Sequence, residues 1–98
     1  MASSKEFRDF VLEQLIDLKD ISCKAMMGEY ILYYKGIIFG GIYDDRLLVK
    51  KTTTNAKYNM EDAIPYPSAK AMYLVEDVDD REALQEIVLS TYEGLLKK

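Results

Sequence analysis

The middle of the chain alternates between β-prone runs and two-residue polar breaks. Residues 29–34, 37–43 and 46–51 are dominated by aromatic and aliphatic side chains, and Lys35-Gly36 and Asp44-Asp45 separate them. This spacing predicts a three-stranded antiparallel meander. Gly36 supplies the positive φ that a tight turn demands, whereas Asp44-Asp45 has no glycine and makes the less comfortable turn. With two-residue loops Tyr34 stands opposite Ile37 and Tyr43 opposite Arg46, and the period of two sorts the side chains. One face then carries Ile31, Tyr33, Ile38, Gly40, Ile42, Leu47 and Val49, and is the face expected to receive a helix layer. The other carries Tyr30, Leu32, Tyr34, Ile37, Phe39, Gly41, Tyr43, Arg46, Leu48 and Lys50, mixing aromatic rings with two cations.

The flanks read as helices. Ser3 precedes Glu6 by three residues, a capping-box arrangement, so a helix is expected to begin there. Phe7, Phe10, Val11, Leu15 and Leu18 recur at intervals of three or four, and the helix is expected to end near residues 18–20. Ile21, Cys23, Ala25 and Met27 alternate with Ser22, Lys24 and Met26 as a strand would, with Gly28 marking a bulge before the first meander strand. Beyond the meander, the threonines of residues 52–54 offer a cap for a short helix running to Asp62. Residues 64–67, with Pro65 and Pro67, form a rigid extended connector, and residues 69–75 alternate as a further strand. Asp79 and Asp80 cap a last helix whose buried stripe is Leu84, Ile87, Val88, Thr91 and Leu95, with Lys97 and Lys98 at its negative end. The element order α-β-β-β-α-β-α makes an α+β fold, an antiparallel meander with the N- and C-terminal helices on one face. Residues 1–98 read as a single domain without repeats or linkers.

Composition narrows the function classes. Hydrophobic residues at 49% and charged ones at 31% exclude a largely disordered chain. A net charge of −4, with 13 Lys and Arg scattered among 17 Asp and Glu, argues against nucleic acid as the direct ligand. The single cysteine, Cys23, leaves no internal disulfide and fits a reducing compartment. No apolar run has the length to span a bilayer, and the N-terminus lacks the order of a signal peptide, so a cytoplasmic protein without a membrane partner is expected.

The chain holds no histidine, which removes the commonest general base and the best transition-metal ligand. Cys23 has no histidine to activate it and reads as a structural thiol. Asp77, Asp79, Asp80 and Glu82 lack the central glycine and span of a calcium loop and read as a solvated cap. Gly40-Gly41 does not open a helix after a strand, so it is no phosphate cradle; these glycines let another backbone approach. No catalytic, cofactor-binding or metal-ligating residue is therefore assigned, no cofactor is expected, and the chain does not read as an enzyme. The candidate site is the aromatic sheet face, where Tyr30, Tyr34, Phe39, Tyr43 and Arg46 form a contact surface for a protein partner or a second copy of the chain. The competing reading is that the loop around residues 65–67 folds over this face.

Met26-Met27-Gly28, Tyr30, Tyr33 through Gly36, Phe39, and Asp45-Arg46-Leu47 through Lys50, followed by Pro65-Tyr66, Met72-Tyr73 and Asp79-Asp80, resemble the N-terminal domain of the TfoX/Sxy competence regulators. The resemblance covers residues 4–96. Where the family usually shows a Met-Phe-Gly-Gly run this chain has Met26-Met27-Gly28-Glu29, and Lys35 stands for the usual aspartate before the hairpin glycine. The resemblance implies a helix-flanked antiparallel sheet of the secretion-chaperone-like kind and brings no catalytic residues. It implies regulators of natural competence that work with a transcription activator and carry a second, C-terminal domain, of which this chain resembles a stand-alone N-terminal part. The leading expectation is a non-enzymatic protein-interaction module. The alternatives are a small chaperone-like homodimer that holds a peptide or protein segment, and a small-ligand carrier or enzyme using Tyr and Lys chemistry.

Overall fold

The structure, a computed structural model, describes residues 3–97; Lys98, expected at the negative end of the last helix, lies outside them. Its elements are α1 (Lys5–Gln14), β1 (Ile21–Met26), β2 (Glu29–Tyr34), β3 (Ile37–Tyr43), β4 (Arg46–Val49), β5 (Glu61–Ala63), β6 (Met72–Val75) and α2 (Arg81–Leu96). The six strands form one antiparallel sheet in the order β1-β2-β3-β4-β6-β5. The fold is α+β, with both helices packed against one face of the sheet. Val11 of α1, Leu15 at its C-cap, and Leu84, Ile87 and Val88 of α2 share a buried cluster with Leu32, Ile42, Leu47, Val49 and Val75.

Three two-residue turns build the first four strands. Met27 and Gly28 have φ of 52° and 86°, Lys35 and Gly36 51° and 82°, Asp44 and Asp45 55° and 57°. Positive φ at both central residues is the turn geometry whose twist matches that of the strands it joins. Residues 21–26 are thus a full hairpin strand, and Gly28 belongs to a turn rather than to a bulge. The Asp44-Asp45 turn forms without glycine because a short polar side chain tolerates the left-handed region better than most. Glu29 adds support, its carboxylate accepting the Asp44 N–H at 3.2 Å.

The expected pairs Tyr34 with Ile37 and Tyr43 with Arg46 form, but the ladder between β2 and β3 shifts on the way. Tyr33 faces Ile38 while Leu32 faces Gly40, so Phe39 is an extra residue in β3. This bulge breaks the period of two and corrects the face assignment. Tyr30, Leu32, Tyr34 and Phe39 lie under the helices, together with Ile42, Leu47 and Val49. Ile31, Tyr33 and Ile38, expected there, are on the open face instead. Gly40 makes the bulge possible: a Cβ at this position would run into the Leu48 carbonyl oxygen and come within 2.9 Å of the Val49 Cα.

Two further expectations are corrected. Ser4, not Ser3, caps α1, accepting the Phe7 N–H at 3.1 Å. Ser3 is drawn to the hairpin tips, where its hydroxyl donates to Glu29 Oε1 at 2.5 Å and accepts the Asp45 N–H at 3.0 Å. The short helix expected after Thr52 shrinks to one 3-10 turn, Ala56–Tyr58, and the strand β5 follows it. The cause is Asn55, which is fully buried. Its Oδ1 accepts the Thr52 N–H at 2.9 Å, and its Nδ2 donates to the Lys50 carbonyl at 2.9 Å and to Thr91 Oγ1 at 2.8 Å. Thr54 Oγ1 donates to the Ser90 carbonyl, and Ser90 Oγ to the Thr54 carbonyl. The segment spends its hydrogen bonds on α2 rather than on a helix of its own. At the other end of the chain the sequence reading holds, since Asp80 caps α2 by accepting the Ala83 N–H at 3.1 Å, and Leu84, Ile87, Val88 and Thr91 are its buried stripe.

Candidate functional site

The structure separates the five residues expected to form one contact surface. Phe39 is inaccessible to solvent, and Tyr30 and Tyr34 are 7% and 8% exposed under the helices. Tyr34 meets the Tyr92 ring of α2 edge-on, centroids 4.8 Å apart, and the Arg8 guanidinium of α1 lies 5.1 Å from the Tyr30 centroid. These three aromatics are core, and assigning them to a partner surface is corrected by the bulge at Phe39. Tyr43 and Arg46 alone reach the open face, where both are half-buried.

On that open face the strands place Tyr33, Ile38, Tyr43 and Leu48 side by side, following the pairs Tyr33 with Ile38, Gly41 with Leu48 and Tyr43 with Arg46. The Tyr43 ring lies across Gly41, where a Cβ would come within 2.8 Å of it. Residues 64–71 border the face and leave it open at Ile38 and Tyr66, although Leu48 is fully buried on it and Pro65 is buried as well. Tyr66 packs against Tyr43 with centroids 6.1 Å apart, and the Arg46 guanidinium donates to the Tyr43 and Ile64 carbonyls at 3.2 and 3.0 Å. Between sheet and segment runs a groove of about 530 Å³, lined by Ile38, Tyr43, Lys50, Tyr66, Lys70 and Met72 among others.

The electrostatics of the two layers differ. Residues 21–75, which make the sheet and its loops, carry seven Lys or Arg against five Asp or Glu, whereas residues 3–20 and 76–97 carry five against twelve. Lys51 is tied down, its Nζ 2.8 Å from Asp62 Oδ2 and 5.1 Å from the Tyr73 centroid. Lys50 and Lys70 are at the groove with no such ion pair among the described residues. Burial pushes the Tyr43 phenol above its ordinary value, with Tyr66 and Glu29 acting in the same direction, so its hydroxyl stays a hydrogen-bond donor. Sequence reasoning placed Lys50 on the face of Tyr43 but missed Tyr33, Ile38, Tyr66 and Lys70 as its neighbours. The Gly40-Gly41 pair inside a strand was the available signal, because glycine there marks a bulge or a close backbone approach.

Nucleophilic chemistry gains nothing from this geometry. Burial raises the Cys23 thiol above its usual range and Arg8 only partly offsets it, which leaves the protonated, weakly reactive form at neutral pH. Asp77 and Asp80 serve the turn into α2, the Asp80 N–H donating to the Asp77 carbonyl at 3.1 Å. Among the described residues no group of three His, Cys, Asp or Glu is placed to hold a metal ion, and no helix is long and apolar enough to cross a membrane.

The sheet, its three tight turns and all but the last two residues of the closing helix fall within residues 13–94, the stretch that matches the TfoX N-terminal domain family. The chain belongs to the TfoX N-terminal domain family. It is also similar to an uncharacterised 12.7 kDa protein in the trpE 5′ region of Spirochaeta aurantia, with 30% identity over 98 residues, 97% of this chain and 85% of that protein. The TfoX N-terminal match takes in the hairpins, the bulge and the groove-lining segment together. Tyr43, Arg46 and Tyr66 thus sit inside the family region, as do Lys50 and Lys70.

Proposed function

We infer that this chain is a non-enzymatic regulatory module that docks an acidic, apolar-bearing segment of a partner protein on its open sheet face. The observation that carries this reading is the one-sided packing of the helices. Both cover the same face, so the opposite face keeps Tyr33, Ile38, Tyr43 and Tyr66 accessible to a partner, beside Lys50 and Lys70 on a chain whose net charge is negative. Tyrosine suits such a surface because its ring buries apolar area while its hydroxyl bonds to the partner or to water. The family supports the regulatory part of the reading, and the lack of histidine with a protonated Cys23 supports the non-enzymatic part. A cytoplasmic site of action accords with a single cysteine that has no partner for an internal disulfide.

The test is affinity capture from a native lysate with wild type and with a Lys50→Glu, Lys70→Glu double variant, washed at rising salt. A protein of the open face is retained by wild type, released as salt screens the lysines, and absent from the variant. Identical retention by both baits would remove the open face from the function.

A further inference from the structure

We propose that two copies of this chain pair through their β1 strands, residue 23 opposite residue 23, to make a continuous twelve-stranded antiparallel sheet. β1 ends the sheet on one side. It is six residues long, is paired with β2 along its whole length and contains no proline, with Lys24 as its one charge. Ser22, Lys24, Ala25 and Met26 are exposed. The opposite edge is blunted in the usual ways: β5 has three residues, and two of them are the acidic Glu61 and Asp62. One edge is therefore guarded and the other is a ready template for a strand.

The ladder fixes which backbone groups are free. The Lys35 N–H donates to the Asp20 carbonyl at 3.0 Å, and the Met27-Gly28 turn closes on Met26 and Glu29. In an antiparallel pair the bonded positions alternate, so Ser22, Lys24 and Met26 direct their backbone groups to β2. Ile21, Cys23 and Ala25 direct theirs outward, giving each chain three free N–H and three free C=O groups. A second copy satisfies all of them in one register only. Ile21 must face Ala25 of the second copy, and Cys23 must face its own equivalent. Shifting by two residues loses a bonded pair and, in one direction, sets Lys24 against Lys24, which like charge opposes. In the proposed register each Lys24 faces a serine, Ser22 of the other copy, and Cys23 extends the helix-covered core across the junction from its place beside that core. The surface used is the edge of the sheet, so the proposal stands apart from docking on the open face.

Sedimentation equilibrium in reducing buffer, from about 1 µM to about 500 µM chain, reads the association directly. The expected result is a concentration-dependent rise toward twice the 11.3 kDa chain mass. Ser22→Glu places a carboxylate opposite each Lys24 of the partner copy and is expected to lower the dissociation constant about fivefold, while Ser22→Lys raises it about fivefold. Ala25→Pro removes an outward N–H without touching a bond to β2, so it should give a folded monomer by circular dichroism. A mass of one chain at every concentration overturns the proposal. So does a dimer whose dissociation constant is the same in wild type, Ser22→Glu and Ser22→Lys, because that dimer would be built elsewhere.

Discussion

The two faces of the sheet are made from similar side chains and have opposite fates. The covered face holds Tyr30, Tyr34 and Phe39, and the open face holds Tyr33, Tyr43 and the neighbouring Tyr66. Aromatic content therefore does not distinguish a contact surface from a core here. The supply of covering elements does: the described residues hold two amphipathic helices, and they join each other over one face. Gln14 Nε2 donates to the Val78 carbonyl at 2.8 Å, and Gln85 Nε2 to the Gln14 carbonyl at 3.0 Å. The other face is left with an eight-residue loop segment, 64–71, that borders it.

Adjacent residues in β3 give the sharpest test of that contrast. Phe39→Ala should cost about 3–5 kcal/mol and Ile38→Ala about 1 kcal/mol or less, read from denaturant midpoints. The opposite ranking would mean that the bulge is misplaced and the faces are exchanged. Gly40→Ala should cost about 3 kcal/mol, since the new methyl meets the backbone of β4, which cannot yield as a side chain end would. Asn55→Ala comes next at about 2 kcal/mol by thermal unfolding, losing three hydrogen bonds within the segment and to α2. Lys70→Glu, on the open face, should stay within about 0.5 kcal/mol of wild type; a larger loss would make that face structural after all.

The smallest effect concerns pH. Because the folded protein holds the Tyr43 proton more tightly than the unfolded chain does, the associated stability is complete below the ordinary tyrosine range. It is lost as pH rises through the raised folded value. Alkaline melting of Tyr43→Phe should therefore fall off less steeply than that of wild type, and parallel curves would show that Tyr43 is not desolvated.

Most of the architecture was legible because it depends on local signals. The turn pairs, the α2 stripe and the Asp80 cap each lie within a few residues and follow from helical or strand periodicity. What failed depends on partners distant in sequence. Ser3 looks like a cap beside Glu6, but Glu29 and Asp45 compete for its hydroxyl from 26 and 42 residues away. Asn55 looks like part of a helix start, but Thr91, 36 residues away, takes its amide. Three of the five candidate-site residues, Tyr30, Tyr34 and Phe39, were put on the wrong face for a single reason. One inserted residue at Phe39 inverts every parity argument on the β2 side of the bulge, so a list of side chains that was right for β4 was wrong for β2.

The turn geometry also bears on how the protein is made. Four consecutive strands are joined by loops of two residues, so each pairing closes a short loop and the meander assembles from near neighbours. Its cover comes from α1 and α2, and residues 81–96 leave the ribosome only after all six strands. A nascent chain that has completed β4 thus displays Leu32, Phe39, Leu47 and Val49 with α1 in place and α2 still to come. Newly made protein passes through an aggregation-prone stage that ends when α2 emerges and docks. Truncation within α2 should accordingly be felt first in soluble yield during synthesis.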